Sequence, residues 1–383
     1  MMRILVDATQ IPVQKVGVGV YAYNTFENII KIDTKNQYIF IVQDDDNDFD
    51  YFAGENVKIK KIKASIYRNF FFRFILEQCY LPFYCRKYKI DILHSLHYSF
   101  PLCLSKKHKK IVTIHDLTFF IYPKVHTFIK RYYFRMFITL AVKKADRLIC
   151  VSQSTADDLK RFFPKSTVPI DVAPLAVTDN MIFSDKEIKS TLEKFNLLNT
   201  NFVLFIGTLE PRKNITSIIR AYSEIKKSDS QYKLVLVGKK GWFYNSIFLL
   251  IKELGIENDV VFTDFVSIKE KYILLSSSTL FVYPSLYEGF GLPVLEAMSY
   301  QKPIITSNIS SMPEVAGDSA ILIDPNNIDE LISAMKALLF NDDLAKQYAE
   351  RAAVRAKLFT WKQTAELTLK SYNSSLQTIN YKL

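Results

Sequence analysis

Short apolar runs rich in Val, Ile, Leu and Phe alternate along this chain with longer stretches of helical periodicity. That alternation predicts parallel sheets joined by crossover helices. In the first half the strand runs are Arg3–Val6, Tyr38–Val42, Ile90–His94, Ile111–Ile114 and Arg147–Val151. In the second half they are Phe202–Ile206, Lys233–Val237, Val260–Phe262, Leu280–Tyr283 and Pro303–Thr306. Between Thr167 and Asp185, around Pro169 and Pro174, the periodicity lapses, which predicts a linker. A chain of 383 residues is too long for one ordinary core. The pattern therefore predicts an α/β protein of two Rossmann-like, doubly wound domains facing across a cleft, residues 1–178 and 179–358. A last helix over 359–383 is expected to pack back on the first domain. In such sheets ligands bind beyond the carboxyl ends of the strands.

Charge changes the picture unevenly. Residues 1–180 carry 27 Lys and Arg against 17 Asp and Glu, a balance of +10, whereas the remainder carries 23 against 22, or +1. The first half is thus the part that meets an anionic partner, a membrane or a nucleic acid. No nucleic-acid motif accompanies the charge, which argues against the second. Cys79, Cys85, Cys103 and Cys150 form no paired ligand motif, so neither a disulfide framework nor a structural zinc is expected. No uncharged apolar run reaches the length of a membrane span. Met2–Asp7 reads as a short buried strand rather than a leader. The expected location is cytoplasmic, or peripheral on the cytosolic face of the inner membrane.

The candidate chemistry sits at strand ends. After Tyr283 comes Pro284-Ser285-Leu286-Tyr287-Glu288-Gly289-Phe290-Gly291-Leu292-Pro293, with Glu296 separated from Glu288 by seven residues. A helix beginning at Gly291–Leu292 offers backbone amides and a dipole to a diphosphate. Glu288 is placed to accept hydrogen bonds from sugar hydroxyls. Glu296 leans back from the first turn toward a ribose diol. A second strand end, Gly207-Thr208-Leu209-Glu210-Pro211-Arg212-Lys213-Asn214, offers Arg212 and Lys213 to the charge that grows on a departing nucleoside diphosphate. Gly17 and Gly19, after the first strand, permit close backbone approach to a phosphate. Thr113-Ile114-His115-Asp116 ends another strand, with His115 aimed at a sugar hydroxyl and Asp116 orienting it or touching the acceptor.

These segments, with Val151–Ser154, Val237-Gly238-Lys239 and Ser307–Val315, resemble the retaining glycosyltransferases of GT-B fold, family 4. More narrowly they are similar to the mannosyltransferase-B-like branch that builds bacterial O-antigen and capsular glycans. The resemblance runs nearly the whole length. It implies an acceptor-binding first domain, a nucleotide-sugar-binding second domain, and transfer of a hexose with retention by front-face displacement. Arg212 and Lys213 would hold the donor diphosphate and Glu296 the ribose. Glu288, Gly289, Phe290 and Gly291 would hold the transferred sugar, with the Leu292 amide on phosphate. Gly238, Lys239, Phe265 and Val266 would cradle the base, with Thr208, Gly17 and Gly19 also on the donor side. Glu288, His115, Asp116, Arg212 and Lys213 form the expected catalytic set. Val20 departs from the polar or basic residue that related sequences often carry after the second glycine.

The implied donor is GDP-mannose, with a UDP-sugar as alternative, and no metal or other cofactor is called for. The implied acceptor is a glycan or a polyprenyl-diphosphate-linked oligosaccharide of surface polysaccharide synthesis (O-antigen, capsule or lipopolysaccharide). Another nucleotide-sugar enzyme of the same fold, such as an epimerase, is the competing reading. The residues agree with a transferase, since no dedicated acid–nucleophile carboxylate pair is visible. Asp44-Asp45-Asp46 suggests metal binding but reads better as a solvated acidic loop. His94 and His97 lack further ligands for a metal and are assigned to the acceptor side with His115. Finally, Tyr67–Phe74, Lys106–Lys110 and Phe128–Arg135 mix aromatic and basic residues as an anionic membrane surface requires.

Overall fold

The computed structural model describes residues 1–13, 15–228, 231–241 and 244–377. The chain divides into two compact units, Met1–Ala176 with Thr360–Leu383, and Val177–Phe359. Residues 378–383 of the expected terminal helix lie outside the described residues.

Among the described residues the first unit holds seven strands: β1 (Arg3–Asp7), β2 (Gln37–Gln43), β3 (Val57–Ile62), β4 (Ile92–Ser95), β5 (Lys109–Ile114), β6 (Arg147–Cys150) and β7 (Ile170–Val172). They lie in the order β3-β2-β1-β4-β5-β6-β7, every pairing parallel. Helices cover the sheet, so central strands are apolar on both faces. Ile4, Leu5 and Val6 of β1 are fully buried. The helix Trp361–Gln377 packs against the helix Val18–Ile32, and its Tyr372 hydroxyl meets His94 Nδ1 at 2.7 Å.

The second unit holds β8 (Asn201–Ile206), β9 (Tyr232–Val237), β10 (Val260–Asp264), β11 (Leu280–Tyr283), β12 (Ile304–Ser307) and β13 (Ile321–Ile323). Their order is β10-β9-β8-β11-β12-β13, again all parallel. The order reverses between β8 and β11, and loops leaving those two strands flank the switch point where doubly wound sheets bind ligands.

Three strands escaped the reading of the sequence. β3 reads Val-Lys-Ile-Lys-Lys-Ile and ends one edge of its sheet. β7 and β13 are three-residue strands at the opposite edges of the two sheets. Edge strands are short and often lysine-bearing, which removes the apolar run that betrays a central strand. The expected linker over Thr167–Asp185 does hold the boundary between the units, at Ala176/Val177, but its first part is β7, hydrogen-bonded to β6.

Candidate functional site

Close backbone packing shapes the loop after β8. A Cβ on Gly238, whose φ is +147°, would fall 2.0 Å from the Gly207 carbonyl oxygen, so the strand end tolerates only glycine there. Pro211–Lys213 then form one 3-10 turn, closed by Asn214 in the left-handed conformation. That turn directs Arg212 and Lys213 toward the loop after β11.

There the two cations meet Glu288. Lys213 Nζ donates to Glu288 Oε1 at 2.5 Å and to the Tyr283 hydroxyl at 2.6 Å. Arg212 Nη1 lies 3.0 Å from Glu288 Oε2, and Nη2 donates to Glu210 Oε1 at 2.6 Å. Ser285 and Tyr283 hydroxyls also donate to Glu288 Oε1, at 2.7 and 3.0 Å. The cluster balances two cations against two carboxylates. Burial would raise the Glu288 pKa, but Arg212, Lys213 and the hydrogen bonds from Lys213 and Ser285 outweigh it and hold it at about 2. Burial lowers the Lys213 pKa, opposed chiefly by Glu288. Glu288 is thus occupied by its own cations, where the sequence suggested a carboxylate open to sugar hydroxyls.

Ser310 and Ser311 fasten the loop from behind. Ser310 Oγ accepts from the Glu288 amide at 3.1 Å and donates to the Glu288 carbonyl at 2.6 Å. Ser311 Oγ donates to the Phe290 carbonyl at 2.8 Å. Gly291, at φ +101°, then opens the helix Leu292–Ser299, and a Cβ there would strike Met312 at 2.2 Å. At the start of that helix Pro293 has no N–H, and the Val294 and Leu295 amides donate to the Gly291 carbonyl at 3.0 and 3.3 Å, so Leu292 carries the amide that the first turn does not use.

Glu296 does not join the cluster by contact. It is buried, and its Oε1 accepts from Lys271 Nζ at 2.7 Å and from the Tyr272 hydroxyl at 3.0 Å. Beyond β10, Phe265 is 50% exposed with Lys239 Nζ 4.5 Å above its ring, while Val266 is buried. Thr208 follows Gly207 in the β8 loop.

The remaining expected residues belong to the first unit. Gly17 takes φ +49° before the helix Val18–Ile32, and a Cβ there would meet nothing within 4 Å. Gly19 packs against Lys15 and Ile11. His115 Nε2 donates to the Leu96 carbonyl at 2.8 Å, and burial lowers its pKa, so the imidazole is neutral. Asp116 Oδ1 accepts from the amide and hydroxyl of Thr118 at 2.9 and 2.6 Å, a local turn cap.

Two expectations are corrected. His94 is fully buried with Nε2 on the Thr113 hydroxyl at 2.8 Å and Nδ1 on Tyr372, so it is a core residue and not an acceptor contact. The acidic stretch is not simply solvated. Asp46 is buried and paired with Lys15 at 2.6 Å, Asp45 with Arg68, and Asp44 accepts from the Ala64 amide at 2.9 Å. The ion pair with Lys15 offsets the cost of removing Asp46 from water. His97 packs on Phe134 at 5.0 Å between ring centroids, its Nδ1 without a partner among the described residues.

Among the described residues no group of His, Cys, Asp and Glu is arranged to hold a metal ion, and no helix is long and apolar enough to cross a membrane. A depression of about 620 Å³, lined in part by Met2, Asp33 and Asn373, lies at the amino ends of the first unit's strands.

Two doubly wound, all-parallel units in one chain are the architecture of the GT-B glycosyltransferases. Residues 188–355 match the glycosyl transferases group 1 family, and residues 17–180 match glycosyltransferase family 4. The chain is 31% identical over 289 residues to O-antigen chain mannosyltransferase B of Escherichia coli, covering 75% of each. It is 30% identical over 240 residues to O-antigen chain mannosyltransferase RfbU of Salmonella typhimurium, covering 63% of this chain and 62% of that one. In structure it is similar to sucrose-phosphate synthase of Thermosynechococcus elongatus, with a TM-score of 0.76 at 17% identity, covering 99% and 100%. The chain belongs to the glycosyl transferases group 1 family and is a glycosyltransferase.

Proposed function

We propose that the protein transfers a hexose from a nucleotide sugar, with mannose from GDP-mannose as the first choice, to a glycan or polyprenyl-diphosphate-linked acceptor in bacterial surface polysaccharide synthesis. The observation that carries the donor reading is the Arg212–Lys213–Glu288 cluster at the switch point of the second unit. The two O-antigen mannosyltransferase relatives support the sugar and the pathway class.

In this reading the leaving diphosphate lies against Arg212, Lys213 and the Leu292 amide at the start of the helix Leu292–Ser299. Negative charge grows on the phosphate oxygen as the glycosidic bond breaks. Cations already fixed by Glu288 and Glu210 meet that charge without reorganising, which is where electrostatic stabilisation is most effective. The nucleotide's base rests against Phe265 and Val266, and its ribose hydroxyls reach Glu296. This reading invokes no metal. Transfer undiminished by a chelator checks that point.

The acceptor side falls to the first unit, and a membrane-bound acceptor suits its surface. Phe71, Phe128 and Ile129 are 65%, 67% and 65% exposed, and Lys130 and Arg131 follow the last two along the chain. Flotation with anionic liposomes at low salt tests this association, and a protein left wholly in the soluble fraction would remove it. This reading places the protein in the cytoplasm, at the inner leaflet.

The donor itself is tested by thermal shift against GDP- and UDP-sugars, comparing the unaltered protein with Glu296→Ala and Lys213→Ala. One nucleotide class should raise Tm, less so in both variants. Equal responses in all three proteins would count against the assigned pocket, and a UDP-sugar response would replace mannose from GDP-mannose.

A further inference from the structure

We infer that Lys271, assisted by Tyr272, is a positioning residue that fixes the Glu296 carboxylate for the ribose diol of the donor. The inference rests on the donor reading above and adds a residue pair that the motif around Glu296 does not contain. A carboxylate as buried as Glu296, 6% exposed, needs hydrogen-bonding partners. It has two, Lys271 Nζ at 2.7 Å and the Tyr272 hydroxyl at 3.0 Å, both on Oε1.

The partners are themselves held. The Lys271 ammonium lies 4.1 Å from the centroid of the Tyr272 ring. Tyr272 stacks on Tyr300 at 5.2 Å with 21° between the planes. The Tyr300 hydroxyl in turn accepts from the Met181 amide at 3.0 Å. With Oε1 engaged by two anchored donors, the plane of the carboxylate is set and Oε2 is the atom left to take a hydroxyl. Lys271 and Tyr272 also lie on the helix Ile268–Ser277, capped by Ser267 with Glu270. That helix begins two residues after Val266, in the segment read as the base cradle. One rigid element thereby ties base to ribose recognition.

The expected consequence is selectivity for a nucleotide that carries both ribose hydroxyls. Calorimetric titration compares a nucleoside diphosphate with its 2′,3′-dideoxy counterpart, using the diphosphate of the nucleotide class that stabilises the unaltered protein. The unaltered protein should prefer the ribonucleotide by roughly 10- to 100-fold, the range of a charge-assisted hydrogen bond. Lys271→Met keeps the stem and removes the ammonium. It should bind the ribonucleotide no better than the dideoxy form, whose affinity stays within about twofold. Lys271→Arg, which restores a cation, should recover most of the preference, and Tyr272→Phe should lose less than Lys271→Met. A Lys271→Met protein that keeps the full preference overturns the inference while leaving the donor site standing. So does one in which both nucleotides weaken equally, which marks general damage. An unaltered protein that binds neither nucleotide sinks the donor reading itself, and this inference with it.

Discussion

Glu288 in the second unit and Glu77 in the first are both withdrawn from solvent, and both accept hydrogen bonds from tyrosine hydroxyls. Their pKa values nevertheless lie on opposite sides of the ordinary 4.5, Glu288 at about 2 and Glu77 at about 7. Burial raises both. Glu288 has Lys213 at 2.5 Å and Arg212 at 3.0 Å to overcome that. Among the described residues Glu77 has Arg73 as its nearby cation, with Nε at 3.9 Å, and the buried Asp7 adds repulsion. Its hydrogen bonds come from neutral donors, Gln10, Tyr67 and Tyr133 at 2.9, 3.1 and 3.1 Å. Two close cations, rather than hydrogen bonds alone, make a buried carboxylate a permanent charge. The protein has placed that arrangement at the switch point of the unit read as donor-binding.

The comparison breaks most visibly if Glu288 is removed. Glu288→Ala leaves the buried Lys213 without its carboxylate, while Arg212 keeps Glu210, with an expected loss of about 3–5 kcal/mol in urea unfolding. Transfer should fall by roughly 100- to 1,000-fold, as when one preorganised electrostatic partner is lost. A variant of unchanged stability would show that the cluster is not a tight ion group.

The two glutamates should also push stability in opposite directions with pH. Glu288, depressed when folded, contributes stability that is present above pH 4.5 and is lost as pH falls through about 2. Glu77, raised when folded, contributes stability that is present below pH 4.5 and is lost as pH rises through about 7. Each displacement corresponds to about 3 kcal/mol. Urea unfolding between pH 5 and 8 isolates the second. Glu77→Gln should flatten the decline across that interval, and an unchanged slope would contradict the assignment.

Smaller effects sharpen the picture. Ser310→Ala removes both hydrogen bonds to the Glu288 backbone, and about 1–2 kcal/mol of stability is expected to go with them. Roughly tenfold slower turnover should accompany it, measured under donor saturation. Smallest is Asp116→Ala, which forfeits a turn cap for about 1 kcal/mol and leaves transfer nearly untouched. A large loss of turnover at constant Tm would instead return Asp116 to the reaction.

What could be read in advance follows from how local each signal was. Glu288, Arg212 and Lys213 stand in short loops after apolar strands, so residue type and position along the chain sufficed to find them. Tyr283 and Ser285 lie in the same stretch, but their hydroxyls count only once the loop folds back on itself. Ser310 reaches Glu288 from 22 residues away, and Lys271 reaches Glu296 across 25. No periodicity announces such pairs. His94 shows the limit most clearly, because period-two alternation says that a strand residue points to one face and not what covers that face. The cover is Tyr372, 278 residues later. Edge strands failed for the complementary reason, their solvent side having erased the apolar run.

The central claim is that the buried Arg212–Lys213–Glu288 group receives the donor's diphosphate. Calorimetric affinity for the stabilising nucleoside diphosphate, beside that for the same nucleoside without phosphates, tests it in the unaltered protein and in Lys213→Met. The account predicts roughly 10- to 100-fold weaker binding of the diphosphate by the variant, with nucleoside binding unchanged. Equal diphosphate affinity in two folded proteins would contradict it.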